Sequence, residues 1–251
     1  MNTAEEESLI PVVARLIAQS QHLVAFSGAG ISTESGIPDF RGPDGVWTRR
    51  DQGKPPPHAS KPLHLIEPNA AHKSLVTLQQ MGLLKFLISQ NVDNLHLKSG
   101  ISPKILAELH GNHTLMRCLR CDKLFPQKGL WDESMWGKGY RTQRIQSGQP
   151  SCPECHGRLI SSIVNFGDPL PKRELESADE HTRLADVFLV IGSSLVVMPA
   201  AALPLRAKKH GAVLIIINHQ STPLDEDADF RFYTSAGVIL PKILCKLEKG
   251  N

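Results

Sequence analysis

Nothing in the 251-residue sequence reads as a membrane-spanning helix, because no run of 18 or more apolar residues occurs in it. A basic leader is also missing. The opening MNTAEEESLIPVVARLIAQ is acidic where a secretory or mitochondrial signal would be basic, so a soluble intracellular chain, cytoplasmic or nuclear, is expected. Positive charge is not massed anywhere. Twenty-eight Lys and Arg residues balance 25 acidic ones to a formal +3 and lie scattered, which gives no strong nucleic-acid signal. Cysteine is scarce at five residues, four of them in two C-x-x-C pairs. That pattern suits thiolates holding a metal in a reducing compartment better than a disulfide framework. No internal repeat or low-complexity segment stands out.

What is present is a core. With 41% hydrophobic residues the chain can form one large domain, or one domain carrying a smaller insertion. Leu9, Val13, Leu16 and Ile17 recur at helical spacing, and HLVAF then reads as a short buried strand. From Pro43 to Pro68 the chain is rich in Pro, Gly, Lys and Asp without usable periodicity, and a long loop is expected. Asn69 can cap a helix with the apolar face Ala71, Leu75, Leu78 and Met81, ended by Gly82, before the strand LLKFLIS. LADVFLVIGSSL, the helical stretch around AAALPLRAKKHG, and AVLIIIN repeat the alternation. Strands apolar on both faces and separated by helices predict an α/β fold, a Rossmann-like parallel sheet with helices on both faces. Between about 112 and 160 the apolar content falls and the cysteine pairs appear, which predicts a small insertion within a single domain over 1–251. The sheet part would then span about 1–111 and 161–251.

After the first strand comes FSGAGISTESGIPDFRG. Glycines at 28 and 30 would let the backbone approach a pyrophosphate, and a helix starting near Ser32 would aim its free N–H groups there. The dinucleotide fingerprint of a dehydrogenase nevertheless fails. Its third glycine is Thr33 here, and the acidic residue for the ribose would have to be Asp51, inside the irregular loop.

The longer string GAGISTESGIPDFRG resembles the signature of the sirtuins, the NAD-dependent protein-lysine deacylases, over fourteen consecutive positions. QNVDNLH, ELHGN, the two cysteine pairs, IVNFGDPLP, GSSLVVMPA and IIIN follow in the family's order, so the resemblance covers nearly the whole chain. FRGPDGVWT and the text from MGLLKFLISQNVDNLH to ELHGN look most like the class IV branch. The resemblance implies that NAD is a co-substrate whose glycosidic bond is broken, not a hydride carrier. It assigns Gly28, Ala29, Gly30, Thr33, Asp39, Phe40, Arg41 and Trp47 to NAD contacts, together with Gln90, Gly192, Ser193, Ser194, Asn218, Gln220 and Ala236. Small residues would admit the phosphates, Arg41 would offset their charge, and Phe40 would shield the ribose from water. Read alone, Phe40 and Trp47 fit core packing equally well.

By the same resemblance Asn91 and Asp93 serve the nicotinamide pocket, where an amide and a carboxylate can pair with a carboxamide. A carboxylate at 93 would otherwise be a helix cap. His96 is expected to be structural. His110 matches the catalytic histidine and would take a proton from a ribose hydroxyl. Val164, Phe166 and Gly167 match the segment that pairs with an acyl-lysine peptide by strand addition. Most sirtuins have Glu where this chain has Asp168. Asn218 ends a strand and could serve the ribose or simply make a turn.

Cys118, Cys121, Cys152 and Cys155 offer four thiolates, which suits one tetrahedral structural zinc with no open position. The spacer between the pairs exceeds the usual ribbon spacing of roughly 15 to 20 residues. Cys245 is expected to be a small core residue. Three functions remain in competition: deacylation of lysine in proteins or peptides, mono-ADP-ribosyl transfer at the same NAD site, and a non-catalytic NAD-sensing zinc scaffold. Asn91, Asp93 and His110 together argue against the last, because a mere binder needs no base beside the ribose.

Overall fold

The computed structural model describes residues 3–249. The chain runs through α1 (Thr3–Gln19), β1 (Leu23–Ser27), α2 (Val46–Asp51), α3 (Ala70–Gln80), β2 (Leu84–Ser89) and α4 (Leu95–Ser99). There follow β3 (Leu106–Glu108), β4 (Leu115–Cys118), β5 (Leu124–Pro126), α5 (Glu133–Trp136), β6 (Leu159–Ser161) and α6 (Lys172–Leu184). The last elements are β7 (Val187–Ile191), α7 (Leu203–Lys209), β8 (Val213–Ile217), β9 (Phe230–Phe232) and α8 (Ala236–Lys249). No helix of the described residues is long and apolar enough to cross a membrane.

Six strands form one sheet in the order β3-β2-β1-β7-β8-β9, every pair parallel. Period-two alternation divides its side chains between two cores. Leu23 and Ala25 of β1, with Leu189 and Ile191 of β7, face α1, α3 and α8, whereas Val24, Phe26, Phe188 and Val190 face α6 and α7. Strands that read as unbroken apolar runs are therefore covered on both sides, as a parallel sheet requires. Strand order reverses between β1 and β7, and a crevice opens there at the carboxyl ends of the strands.

The expected cap is present: Asn69 Oδ1 accepts from the N–H groups of Ala71 at 2.9 Å and His72 at 3.3 Å. The α1 stripe keeps Val13 and Ile17 of the expected set, with Ile10 and Ala14 buried in place of Leu9 and Leu16. Ile10, Val13, Ala14 and Ile17 are buried, while Leu9 packs at the margin. Two further expectations change. The segment after β1 is a 3-10 helix, Ala29–Ser35, rather than an α-helix starting near Ser32. Its tighter winding follows from bonds made elsewhere, since Gly30 N–H donates to Gly192 O at 2.8 Å. The 43–68 loop also holds order, with α2 and a 3-10 turn at Leu63–Leu65. Lys98 of α4 pins it by donating to Ile66 O at 2.6 Å and pairing with Glu67 at 2.8 Å.

The remaining strands form an antiparallel sheet, β5-β4-β6. Its core is small: Met116, Cys118, Trp131, Cys152 and Leu159. Two of those five residues are cysteines, so the cluster lacks the apolar mass to be stable by itself. A buried Arg117 ties this sheet to the larger one, pairing with Asp122 at 2.8 Å and with Glu174 of α6 at 2.6 Å.

Glycine at 192 is demanded twice. Its φ is +60°, and an added Cβ would lie 2.3 Å from the backbone nitrogen of Ile31. Gly82 also has positive φ, at +72°, but nothing lies within 4 Å of its would-be Cβ. Left-handed backbone alone costs about 1–2 kcal/mol in a residue with a side chain. Gly82→Ala should therefore lose about that much in a urea melt, whereas Gly192→Ala should lose more than about 3 kcal/mol because backbone must also move.

Candidate active site and metal centre

The crevice at the strand ends is a cleft of about 650 Å³. Its floor is made of backbone. Gly28 N–H donates to Ile191 O at 3.0 Å, Gly30 N–H to Gly192 O at 2.8 Å, and Gly192 N–H to Ile217 O at 2.9 Å. These bonds stitch together the ends of β1, β7 and β8. A Cβ on Gly28 would stand 2.8 Å from Gly192 O, and one on Gly30 2.8 Å from Gly192 Cα. The glycines at 28 and 30 are thus fixed first by contact with each other's neighbouring turn, and the same bareness leaves the floor open to a phosphate-bearing ligand.

Above the floor, Gln90, Asn91 and Asp93 follow β2. Asp93 makes the helix-start bond expected of it and a second bond besides. Its Oδ1 accepts Leu95 N–H at 2.9 Å as a helix-start cap, and its Oδ2 accepts Ser32 Oγ–H at 2.6 Å. Ser32 Oγ also accepts Asn91 Nδ2–H at 3.2 Å, so one buried hydroxyl aligns the amide and the carboxylate. Ser32 was not singled out in the sequence, where it reads only as a small residue of a glycine loop. Its signal is a distance of about sixty positions to Asp93, which only folding closes.

His110 follows β3. Its Nδ1 lies 2.9 Å from the carbonyl oxygen of Gln90, which accepts only, so Nδ1 carries the hydrogen. Nε2 is left as the basic nitrogen, with no partner among the described residues. Burial lowers the His110 pKa, partly offset by the bond to Gln90 O. Ser193 Oγ–H donates to Gln90 Oε1 at 2.7 Å and braces that residue from the opposite strand end.

Behind this wall lie groups that ionise reluctantly. His96 Nε2 bonds Ser27 Oγ at 2.8 Å, and the His72 and His96 rings lie 5.0 Å apart. Burial drives His72 down to about 4 and His96 well below its ordinary value. Glu108 moves the other way, pushed up to about 7 by burial, with Asn112 Nδ2 donating to it at 2.8 Å.

The far wall is the segment 163–170. Val164 N–H donates to His110 O at 2.9 Å. Asp168 closes a turn: its Oδ2 accepts Asn165 N–H at 3.2 Å and its own N–H donates to Asn165 O at 3.0 Å. Phe166 stands 80% exposed at the turn, with its ring 5.5 Å from Trp47, whose own ring lies 5.4 Å from Phe40. The Arg41 guanidinium sits 4.1 Å over Trp47. Phe40 and Trp47 are therefore cleft residues and not core.

The cleft gathers Gly28, Ala29, Gly30, Asp39, Phe40, Arg41, Trp47, Gln90, Asn91, Asp93, His110, Val164, Phe166, Gly167, Gly192, Ser193, Ser194, Asn218 and Gln220. Thr33 and Ala236 stay outside its walls. Thr33 Oγ1–H turns back to Gly30 O at 2.9 Å, and Ala236 is spent starting α8. Asn218 lines the cleft and also makes a turn, donating to Gln220 O at 2.8 Å. Met198 and Leu170 line it too, from GSSLVVMPA and IVNFGDPLP, as does Leu63, from a loop whose composition gave no hint of a site.

The four cysteine Sγ atoms all lie within 4.8 Å of one another, with Cys118 and Cys155 at 3.4 Å and Cys121 and Cys152 at 3.7 Å. A tetrahedron with Zn–S bonds of about 2.3 Å needs sulfur separations of roughly 3.8 Å, so the donor set fits zinc and leaves no open position. Cys245, by contrast, is exposed on α8 and not a core residue.

Known proteins resemble the chain over most of its length. The Sir2 family pattern matches residues 28–57 and 57–199. The chain is 43% identical over 220 residues to the NAD-dependent protein deacetylase SRT1 of Arabidopsis thaliana, covering 88% of this chain and 45% of that one. It thus spans less than half the length of the plant relative. The NAD-dependent protein deacylase 2 of Archaeoglobus fulgidus is 39% identical over 260 residues, covering 97% of this chain and 98% of the relative. A solved complex described as "Sir2-p53 peptide-NAD+" superposes with a TM-score of 0.70 at 32% identity, covering 95% of this chain and 97% of that one.

Two outcomes follow from the donor set and the buried imidazoles. Metal analysis of the purified protein should find one zinc per chain, and Cys152→Ser should lose it and unfold the β5-β4-β6 sheet; folded protein without zinc would contradict this. His72 binds its proton in the unfolded chain near 6.5 but in the folded one only near 4. Folding stability from this residue is therefore intact above pH 6.5 and declines as pH falls toward 4, by roughly 3 kcal/mol in all. Glu108 opposes that trend between its ordinary value and about 7. Urea melts of His72→Gln across pH 4–7 should accordingly show a flatter acid decline than the wild type.

Proposed function

The chain belongs to the Sir2 family, and on that premise we propose that it is an NAD-dependent protein-lysine deacylase acting on acyl-lysine in proteins or peptides. The observation that carries the reading is the joint presence, in one cleft, of a tautomer-fixed His110 and the aligned pair Asn91 and Asp93 beside a bare glycine floor. NAD would supply an electrophilic ribose carbon, which the acyl-lysine amide oxygen attacks as nicotinamide leaves; after the ribose hydroxyl captures the acyl carbon, one water completes the balance, giving nicotinamide, O-acyl-ADP-ribose and free lysine.

Each residue then has a task. Gly28, Ala29 and Gly30 admit the phosphates, with Arg41 near enough to offset their charge once it leaves the Trp47 face. Asn91 and Asp93, held by Ser32, orient the nicotinamide carboxamide. Gln90, Gly192, Ser193, Ser194, Asn218 and Gln220 line the adenosine side. Phe40 and Trp47 exclude water from the ribose. His110 Nε2 removes a proton from a ribose hydroxyl, while Nδ1–H stays on Gln90 O. Val164, Phe166 and Gly167 receive the peptide by strand addition.

We divide the chain into an NAD-binding part over about 1–111 and 161–251 and a zinc module over 112–160, whose metal is structural. Assignment to the class IV branch is also proposed, supported by FRGPDGVWT and by the way Trp47 N–H donates to Phe40 O at 2.9 Å to fold that string over the cleft.

His110→Ala should lower acyl-lysine turnover by about 10² to 10⁴-fold, the span of a general base. Asp93→Asn should impair nicotinamide release as well. Neutral His110 is the active form and burial lowers its pKa, so activity should be flat above neutrality and fall on an acid limb centred below 6.5. Mass analysis of NAD reactions with acyl peptides decides the class: protein-bound ADP-ribose without any freed lysine would make the chain a mono-ADP-ribosyltransferase instead.

A further inference from the structure

The segment 163–170 that walls the cleft is one chain thick, and a second cavity of about 270 Å³ lies on its other side. Ile163, Val164, Asp168, Pro169 and Leu170 line both spaces. Beyond them the second cavity is bounded by the antiparallel sheet and the start of α6, and its charged lining is Arg117, Asp122, Arg141, Asp168 and Lys172.

The carboxylates there are already engaged. Asp122 takes Arg117 at 2.8 Å, and Asp168 Oδ2 accepts Asn165 N–H at 3.2 Å. Of the cations, Arg117 is balanced by Asp122 and by Glu174 at 2.6 Å, whereas the other two are not. Arg141 is half-buried and its guanidinium has no partner among the described residues. Lys172 has only a loose, exposed pairing with Glu176 at 3.7 Å. Arg117 is buried with its Nε unpartnered, and no side chain caps the first turn of α6. The backbone of Arg141 is held in place, because Arg158 donates to Arg141 O at 3.1 Å and to Gln143 O at 2.6 Å. The cavity thus holds an unpaired guanidinium and a loosely paired ammonium directly behind the segment that would carry the substrate.

We propose that this cavity is a substrate subsite for a carboxylate, an Asp or Glu side chain within three residues of the acyl-lysine, with Arg141 as its specificity-determining residue and Lys172 in support. The inference rests on the peptide lying along 163–167. An extended chain advances about 3.3 Å per residue. Its successive side chains point to opposite faces, so a lysine directed into the cleft turns its immediate neighbours toward the other face of the segment, the side on which Arg141 stands.

The test uses the full chain and one acyl-lysine peptide made in three forms, with Glu, Gln or Lys at the flanking positions. Calorimetry and steady-state kinetics should both favour the Glu form over the Lys form by about fivefold in Kd and KM, the scale of a partly exposed ion pair, with kcat equal. Arg141→Glu should invert the order, Arg141→Gln should abolish it, and both should turn over the Gln peptide as the wild type does. Absence of a charge preference in the wild type, or its persistence in Arg141→Glu, overturns the proposal. Free glutarate is the second probe. If it binds through Arg141 while the Glu peptide binds no better than the Lys peptide, the cavity serves a small free anion and the substrate subsite is wrong. Should the peptides bind with the charge order but never lose their acyl group, the deacylase reading falls and the subsite stands.

Discussion

The contact on which the rest depends is the approach of bare backbone to bare backbone at the carboxyl ends of β1 and β7. Gly30 N–H reaches Gly192 O at 2.8 Å, and no Cβ fits on Gly28, Gly30 or Gly192. Because the sheet order reverses between these two strands, their turns must diverge to opposite sides. Close approach lets them part with no side chain in the gap. The cleft, its open floor and the tight 3-10 winding of Ala29–Ser35 all follow from that geometry. So does the position of Ser32, which the winding turns toward Asp93.

Electrostatics in the wall are arranged by burial more than by ion pairs. His72 and His96 stay neutral behind the cleft, and Glu108 is held close to its protonated form. Asp93 then faces Ser32, Asn91 and a helix start, all of them neutral groups, and His110 faces a carbonyl. A site built this way keeps its base uncharged at neutral pH. It also carries a cost: buried imidazoles favour unfolding as acid is added, and a protonated Glu108 offsets only part of it.

The smaller sheet has the opposite problem. Its apolar core is five residues, two of which are cysteines. Four sulfurs with tetrahedral spacing replace the missing hydrophobic mass with metal bonds. The sheet in turn braces 163–170, through Ser162 N–H on Leu115 O at 3.0 Å and through Arg117 on Glu174. The 163–170 wall, proposed to meet the peptide, is therefore only as firm as the four-cysteine cluster behind it.

Much of this was legible in the residues. Apolar runs too uniform for an exposed sheet predicted a parallel one; Asn69 and Gly82 bounded a helix where expected; two C-x-x-C pairs pointed to a cluster that fits zinc; and GAGISTESGIPDFRG with QNVDNLH and ELHGN named the family. These are local signals, carried by spacing within one element or one loop. Thr33 and Ala236 were drawn into the site by likeness of position, but their side chains turn elsewhere. Asp168 and Cys245 could not be judged from type alone, since a turn return and a solvent face are matters of neighbours. What only the tertiary structure decided was every relation across the chain: Ser32 aligning Asn91 with Asp93, Gln90 O fixing the tautomer of His110, and Arg141 standing unpaired behind the substrate wall. Sequence determines which groups are available, but a hydrogen bond or an uncompensated charge exists only once residues far apart in the chain share a few ångströms of low-dielectric space.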